Sequence, residues 1–175
     1  MSVDVKNKRN AGFSLVELMV VVAIMAVLLG FITITYSIVG RGSAKSYATT
    51  LKQAIATARS DTMGRVKDTY DLIVSCEANG DVYVRVGAAG NKQCIGTNKI
   101  PVQAYMPGIA YTFTPGMELN ITFSKSSGGV KSSHFTGGAG NPFPGASEII
   151  FQCGQSAGTH YDVHIVVATG KVYMK

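Results

Sequence analysis

Glu17 stands at the head of an apolar run, and its surroundings make its chemistry unusual. From Leu18 to Gly40 no side chain is charged, a stretch longer than the roughly 20 residues needed to cross a hydrocarbon core. A carboxylate at the mouth of such a segment is costly unless a cation pairs with it, so it is read as functional and its partner has to be found. Other reactive side chains are sparse. Cys76, Cys94 and Cys153 form an odd set without a CxxC pair, so at least one thiol stays unpaired or pairs between chains. Cys76 and Cys94 flank an expected hairpin and are the first candidates for a disulfide, with Cys153 open to either. His160, Asp162 and His164 share one face of an expected strand, whose outer side they make polar; they are not read as a metal site. His134 falls in a Gly/Ser-rich loop. No Ser-His-Asp set, phosphate loop or paired-carboxylate motif has supporting context, so the chain reads as a non-enzyme with no metal and no cofactor.

The elements that must position these residues follow from periodicity. Past Gly40, small or apolar residues recur at Ala44, Ala48, Leu51, Ile55, Ala58 and Thr62, steps of four and three that mark one face of a helix. A single helix is expected from Phe13 to Gly64, softened near Gly30 and around Gly40–Gly42. Arg41, Lys45, Lys52 and Arg59 lie on its other face and read as solvated. Beyond Gly64 the period becomes two. Strands are expected over Thr69–Cys76 and Asp81–Val86, joined by an Asn79-Gly80 turn. Further strands are expected over Ile100–Met106, Ile109–Phe113, Leu119–Ser124, Glu148–Cys153, Tyr161–Ala168 and Lys171–Met174, the last two joined at Thr169-Gly170. Residues 87–99 and 125–147 read as loops, the second rich in Gly, Ser and Pro and exposed, the natural place for recognition. Tyr105, Tyr111, Phe113 and Phe123 read as core. The fold class is therefore α+β, a long helix laid by its second half on an antiparallel sheet.

The chain has 175 residues, 46% of them hydrophobic, and a net charge of +6. Its first twelve residues, MSVDVKNKRNAG, set Lys6, Lys8 and Arg9 against Asp4 alone. This basic segment lacks an apolar stretch of its own, unlike a secretory signal, and the positive-inside tendency keeps it cytoplasmic. A basic leader ending in Gly12, then Phe13, then Glu17 four positions on, resembles the class III signal of type IV pilins and pseudopilins. The resemblance implies cleavage by prepilin peptidase between Gly12 and Phe13 and N-methylation of Phe13. It also implies a division into leader (1–12), transmembrane and assembly helix (13–40), amphipathic continuation (41–64) and β-rich pilin domain (65–175). The new amine would then meet Glu17 of a neighbouring subunit in a fibre. Many members carry a proline at the twenty-second mature residue, where this chain has Ile34.

A second resemblance is narrower. Leu51, Ala58-Arg59, Asp61 and Arg65, with the ending DVHIVVATGKVYMK, are similar to the GspH/FimT family of minor pseudopilins and minor pilins. This implies a structural subunit in the inner membrane and then in a pilus or type II secretion pseudopilus. Its partners would be other pilins, the prepilin peptidase, an inner-membrane assembly platform and, before assembly, membrane lipid. A major type IV pilin is the structural alternative. Some FimT-like minor pilins bind DNA through arginines in the closing hairpin; here Lys171 and Lys175 stand there, joined by Lys125 and Lys131 as candidate polyanion contacts. Lysine lacks the planar fork suited to phosphate, which weakens the DNA reading.

Overall fold

The described residues form one helix and ten strands. The computed structural model describes residues 14–64, 71–136, 142–155 and 158–175. Helix α1 (Leu15–Gly64) continues through Gly30 and Gly40–Gly42 without interruption. The chain divides into two compact units, one ending at Ile38 and one beginning at Val39.

In the first unit, the large apolar side chains of α1 from Leu15 to Leu29 are exposed on every face, from Val21 at 42% to Leu15 at 73%. Among the described residues no helix is long and apolar enough to cross a membrane. The side chains of the expected span beyond Leu29 lie outside the described set.

In the second unit, the period-3.6 stripe does what its spacing predicts. Ala44, Ala48, Leu51, Ile55, Ala58 and Thr62 are each buried to 1% exposure or less. Half of the stripe is alanine, which lets a backbone approach a sheet closely at little entropic cost. Thr62 would bury a bare hydroxyl, and instead donates it back to the Ala58 carbonyl at 2.8 Å.

Two antiparallel five-stranded sheets supply the surfaces for this stripe. The first, ordered β3-β2-β1-β6-β7, contains β1 (Asp71–Cys76), β2 (Val82–Val86), β3 (Gln93–Gly96), β6 (Glu118–Phe123) and β7 (Val130–Phe135). The second, ordered β10-β9-β8-β4-β5, contains β4 (Val102–Met106), β5 (Ile109–Thr112), β8 (Glu148–Gly154), β9 (His160–Val166) and β10 (Val172–Met174). Register puts Leu72, Val74, Val84, Leu119 and Ile121 on one face of the first sheet. It puts Ala104, Phe151 and Val163 on one face of the second. All of these join the helix stripe in one hydrophobic cluster, each large aliphatic member contributing about 1.5–3 kcal/mol by leaving water.

Two strands replace expected loops. β3 has a single strongly apolar residue, Ile95, fully buried, and it pairs with β2 across a bulge at Val82/Tyr83. β7 reads Val-Lys-Ser-Ser-His-Phe, with buried Ser133 where alternation would place an apolar side chain. Both are edge strands, where one backbone edge and much of the side-chain surface stay wet and the hydrophobic signal fades. The Asn79-Gly80 turn also differs from expectation. Gly80 has φ +84° but Asn79 has a negative φ, which rules out the two-residue type I′ turn. Residues 78–80 instead form a three-residue loop whose last residue is left-handed, closed by Glu77 N–H on Asp81 O at 2.9 Å.

Candidate functional site

Glu17 sits in the first turn of α1, where a carboxylate is stabilised by the unsatisfied N–H groups of the helix start by about 0.3–1 kcal/mol. Its side chain is exposed, and no described cation pairs with it. Gly12 and Phe13, the expected processing pair, lie outside the described residues.

The basic residues gather unevenly. Gly128, between β6 and β7, and Gly170, in the turn between β9 and β10, pack directly on one another: a Cβ on Gly170 would overlap the Gly128 carbonyl oxygen. This contact brings the loop bearing Lys125 beside the turn bearing Lys171, both exposed. Lys131 follows close by, because Val130 N–H donates to Val167 O at 2.7 Å. Lys175 is separate. It flanks the other end of β10, where its Nζ lies 5.9 Å from the centre of the Tyr173 ring.

Arg59 joins the first group and corrects the reading of a uniformly solvated basic face. Lys45 and Lys52 are exposed, but Arg59 is half-buried. Its Nε lies 2.8 Å from where a Gly128 Cβ would stand, and its Cδ 3.0 Å from the equivalent point at Gly170. That Nε is shielded from solvent and has no hydrogen-bond partner among the described residues. Sequence reasoning missed this role because Arg59 falls in step with Lys45 and Lys52 and meets residues about 70 and 110 positions away.

The histidine strand differs from expectation too. His164 is not on a solvated face: it is 7% exposed, stacked on Tyr173 with ring centres 4.6 Å apart. Its Nδ1 lies 3.2 Å from Glu148 Oε2, while the Tyr173 hydroxyl donates to Glu148 Oε1 at 2.8 Å. Glu148 is consequently held below the usual carboxylate range, first by the Tyr173 hydrogen bond and then by that of His164; the same bond raises Tyr173. Tyr105, expected in the core, lies half-buried on the same outer face and donates to Asp162 Oδ2 at 3.1 Å. Burial, then the Asp162 carboxylate, pushes its hydroxyl up to about 12. His134 is on β7, exposed, not in a loop. Among the described residues no cluster of His, Cys, Asp and Glu is arranged to hold a metal ion.

Phe113 and Phe123 are buried as expected. Tyr111 is half-buried in a ring cluster with Phe135 at 5.0 Å and Phe143 at 5.5 Å. Phe143 pins part of the expected recognition loop into the core, helped by the Tyr111 hydroxyl donating to Pro142 O at 3.0 Å. Residues 137–141 of that loop lie outside the described set.

All three cysteines are free thiols, correcting the expected Cys76–Cys94 pair. β2 runs between the strands that carry them, so the two are separated by two strand spacings of about 4.8 Å, beyond the roughly 7 Å Cα limit for a bridge. Cys153 is buried and its thiol is pushed up to about 12 by that burial.

Comparison with known proteins gives one match. The family model for the prokaryotic N-terminal methylation motif matches residues 7–33. No curated protein and no solved structure matches the chain. The motif supports a place in the type IV pilin and pseudopilin superfamily, whose members are structural, processed by prepilin peptidase and assembled into pilus-type fibres.

Proposed function

We propose that this chain is a minor pseudopilin or minor pilin of the GspH/FimT kind, anchored in the inner membrane by its first helix and then drawn into a fibre. One observation carries the reading. The helical part of the methylation motif is apolar and exposed on all sides over Leu15–Leu29, with Glu17 as its one charge. A helix apolar all round needs burial by lipid or by other helices, and its carboxylate needs a cation once water is gone. Cleavage between Gly12 and Phe13 would supply that cation as the new amine, and Glu17 of one subunit would neutralise the amine of the next. The β-rich unit would then decorate the outside of the fibre.

The test is Glu17→Ala. Leader cleavage should proceed as in the parent chain, read by the mass of the membrane-extracted protein. Incorporation into sheared fibres should be nearly abolished, because removing one partner of a buried charge pair costs about 3–5 kcal/mol. Normal incorporation would sink the pairing.

A second reading, a DNA-binding tip subunit for natural transformation, is favoured by the convergence of Arg59, Lys125 and Lys171 around the Gly128–Gly170 contact. If so, the full chain in detergent binds duplex DNA with log affinity falling against log salt by about 0.9 per phosphate neutralised. Absence of binding at low salt excludes it.

A further inference from the structure

Asn79-Gly80 is the one Asn-Gly pair in the chain, and it carries a latent reaction. Asparagine is a thermolabile residue, because the backbone nitrogen of the next residue can attack its side-chain carbonyl carbon. A C–N bond forms, ammonia leaves, and water then opens the cyclic imide to aspartate or isoaspartate. Glycine hinders that attack least, having no side chain and the widest backbone freedom.

The turn between β1 and β2 nevertheless requires this pair. Gly80 has φ +84°, and the Asn98 side chain fills the place a Cβ would take. Asn79 shapes the loop through Asp81, accepting its N–H on Oδ1 at 3.0 Å and donating from Nδ2 to its Oδ2 at 2.9 Å.

Both reacting groups are therefore engaged. The Gly80 nitrogen must lose its proton to attack, and it donates that proton to Glu77 O at 2.9 Å. Asn98 reaches in from the β3–β4 connection and donates from Nδ2 to Asn79 O at 2.7 Å. That bond fixes the peptide group joining Asn79 to Gly80. Asn98 is itself held in place, since Thr97 and Ile100 exchange two backbone bonds of 2.9 Å around it.

We propose that Asn79 is a self-modification site held shut by Asn98, and that its deamidation is a one-way change in the β1–β2 turn. Ring closure rotates the Asn79–Gly80 peptide group, which breaks the Asn98 and Glu77 bonds together. The product does not restore the closed turn. It has lost the Nδ2 donor to Asp81 and gained a carboxylate beside it, and two like charges at that range repel. Isoaspartate also adds a backbone atom to a three-residue loop.

The test incubates the full chain in detergent micelles at mildly alkaline pH and digests it in acid. Conversion is read from the mass of the peptide bearing Asn79 and its separation into aspartyl and isoaspartyl forms. In the parent, Asn79 should convert more slowly in the fold than in urea. Asn98→Ala should speed conversion in the fold about fivefold, the factor that one net hydrogen bond contributes to local opening, and leave the rate in urea unchanged. If Asn98→Ala does not fold, Asn98→Asp takes its place, keeping the shape and removing the donor. Gly108→Ala puts a side chain on a left-handed glycine (φ +90°) in open space; it controls for general destabilisation and should keep the parent rate. Equal parent rates in the fold and in urea overturn the proposal. So does an Asn98 variant that converts at the parent rate, or one that Gly108→Ala matches.

Discussion

Replacing Gly170 by alanine should damage this protein well beyond the usual cost of a turn glycine. Gly170 has φ +64°, and a side chain there carries about 1–2 kcal/mol of left-handed strain. The new Cβ would also overlap the Gly128 carbonyl oxygen and press on Arg59 Cδ at 3.0 Å. The first of these obstacles is backbone, so the turn and the β6–β7 loop must separate. One short hydrogen bond joins the two, Val130 N–H to Val167 O at 2.7 Å. Losing it adds about 0.5–1.5 kcal/mol, for a total of roughly 1.5–3.5 kcal/mol. Gly116→Ala is the control. Gly116 also has a left-handed φ, +86°, but open space where a Cβ would go, so it should lose the strain alone, about 1–2 kcal/mol. Urea unfolding of the full chain in detergent, followed by far-ultraviolet circular dichroism, gives both values at unchanged slope. Equal losses would show that the Gly128–Gly170 approach does not hold the two loops together, and the clustering of Lys125, Lys171 and Arg59 would lose its structural basis.

Two further outcomes follow from the described chemistry. Glu148 is held below the ordinary carboxylate range in the fold, so its contribution to stability is present above the unfolded value of about 4.3 and is lost as pH falls through the folded value. Glu148→Gln should therefore be less stable than the parent at neutral pH, and the gap should close in acid; a pH-independent gap would contradict the assignment. Cys94 is half-exposed while Cys76 and Cys153 are buried with raised thiols, so iodoacetamide at about pH 8 should modify Cys94 first and reach the other two only on unfolding. Early labelling of Cys153, or a native disulfide by mass, would refute the burial pattern.

Much of the fold was legible in the sequence, for identifiable reasons. Ala44 to Thr62 repeats the helical step over five turns, and an unbroken pattern of that length has few competing readings. The strands with alternating apolar residues, such as β2 and β9, stood out for the same reason. β3 and β7 did not, because an edge strand buries one or two side chains and the rest can be Lys, Ser or His. Alternation also names the face a residue lies on without saying what covers that face. His164 and Tyr105 were assigned opposite environments, yet they occupy one outer surface, where Tyr173 is stacked on the imidazole. Arg59 and the Gly128–Gly170 contact were beyond reach, since they depend on segments brought together only by the sheets.

The distribution of charge across the second unit bears on what it can bind. The described strand and turn carboxylates are engaged locally: Glu77 with Lys92, Asp81 with Asn79, Glu118 with Arg85, Glu148 with His164 and Tyr173, Asp162 with Tyr105. Lys45, Lys52, Lys99, Lys125, Lys131 and Lys171 have no ion-pair partner among the described residues. Positive charge is thus what this unit presents outward, on flexible side chains without fixed geometry. Such a surface attracts an anionic partner over about a Debye length and loses that attraction as salt rises. It does not by itself choose among anionic partners. Selectivity would have to come from groups held in place, and at the basic end Arg59 is such a group among the described residues, its Nε and Cζ packed on Gly128 and its Cδ on Gly170. Arg59→Lys therefore separates the two contributions: it keeps the charge, and with it the salt-dependent attraction, and removes the positioned fork.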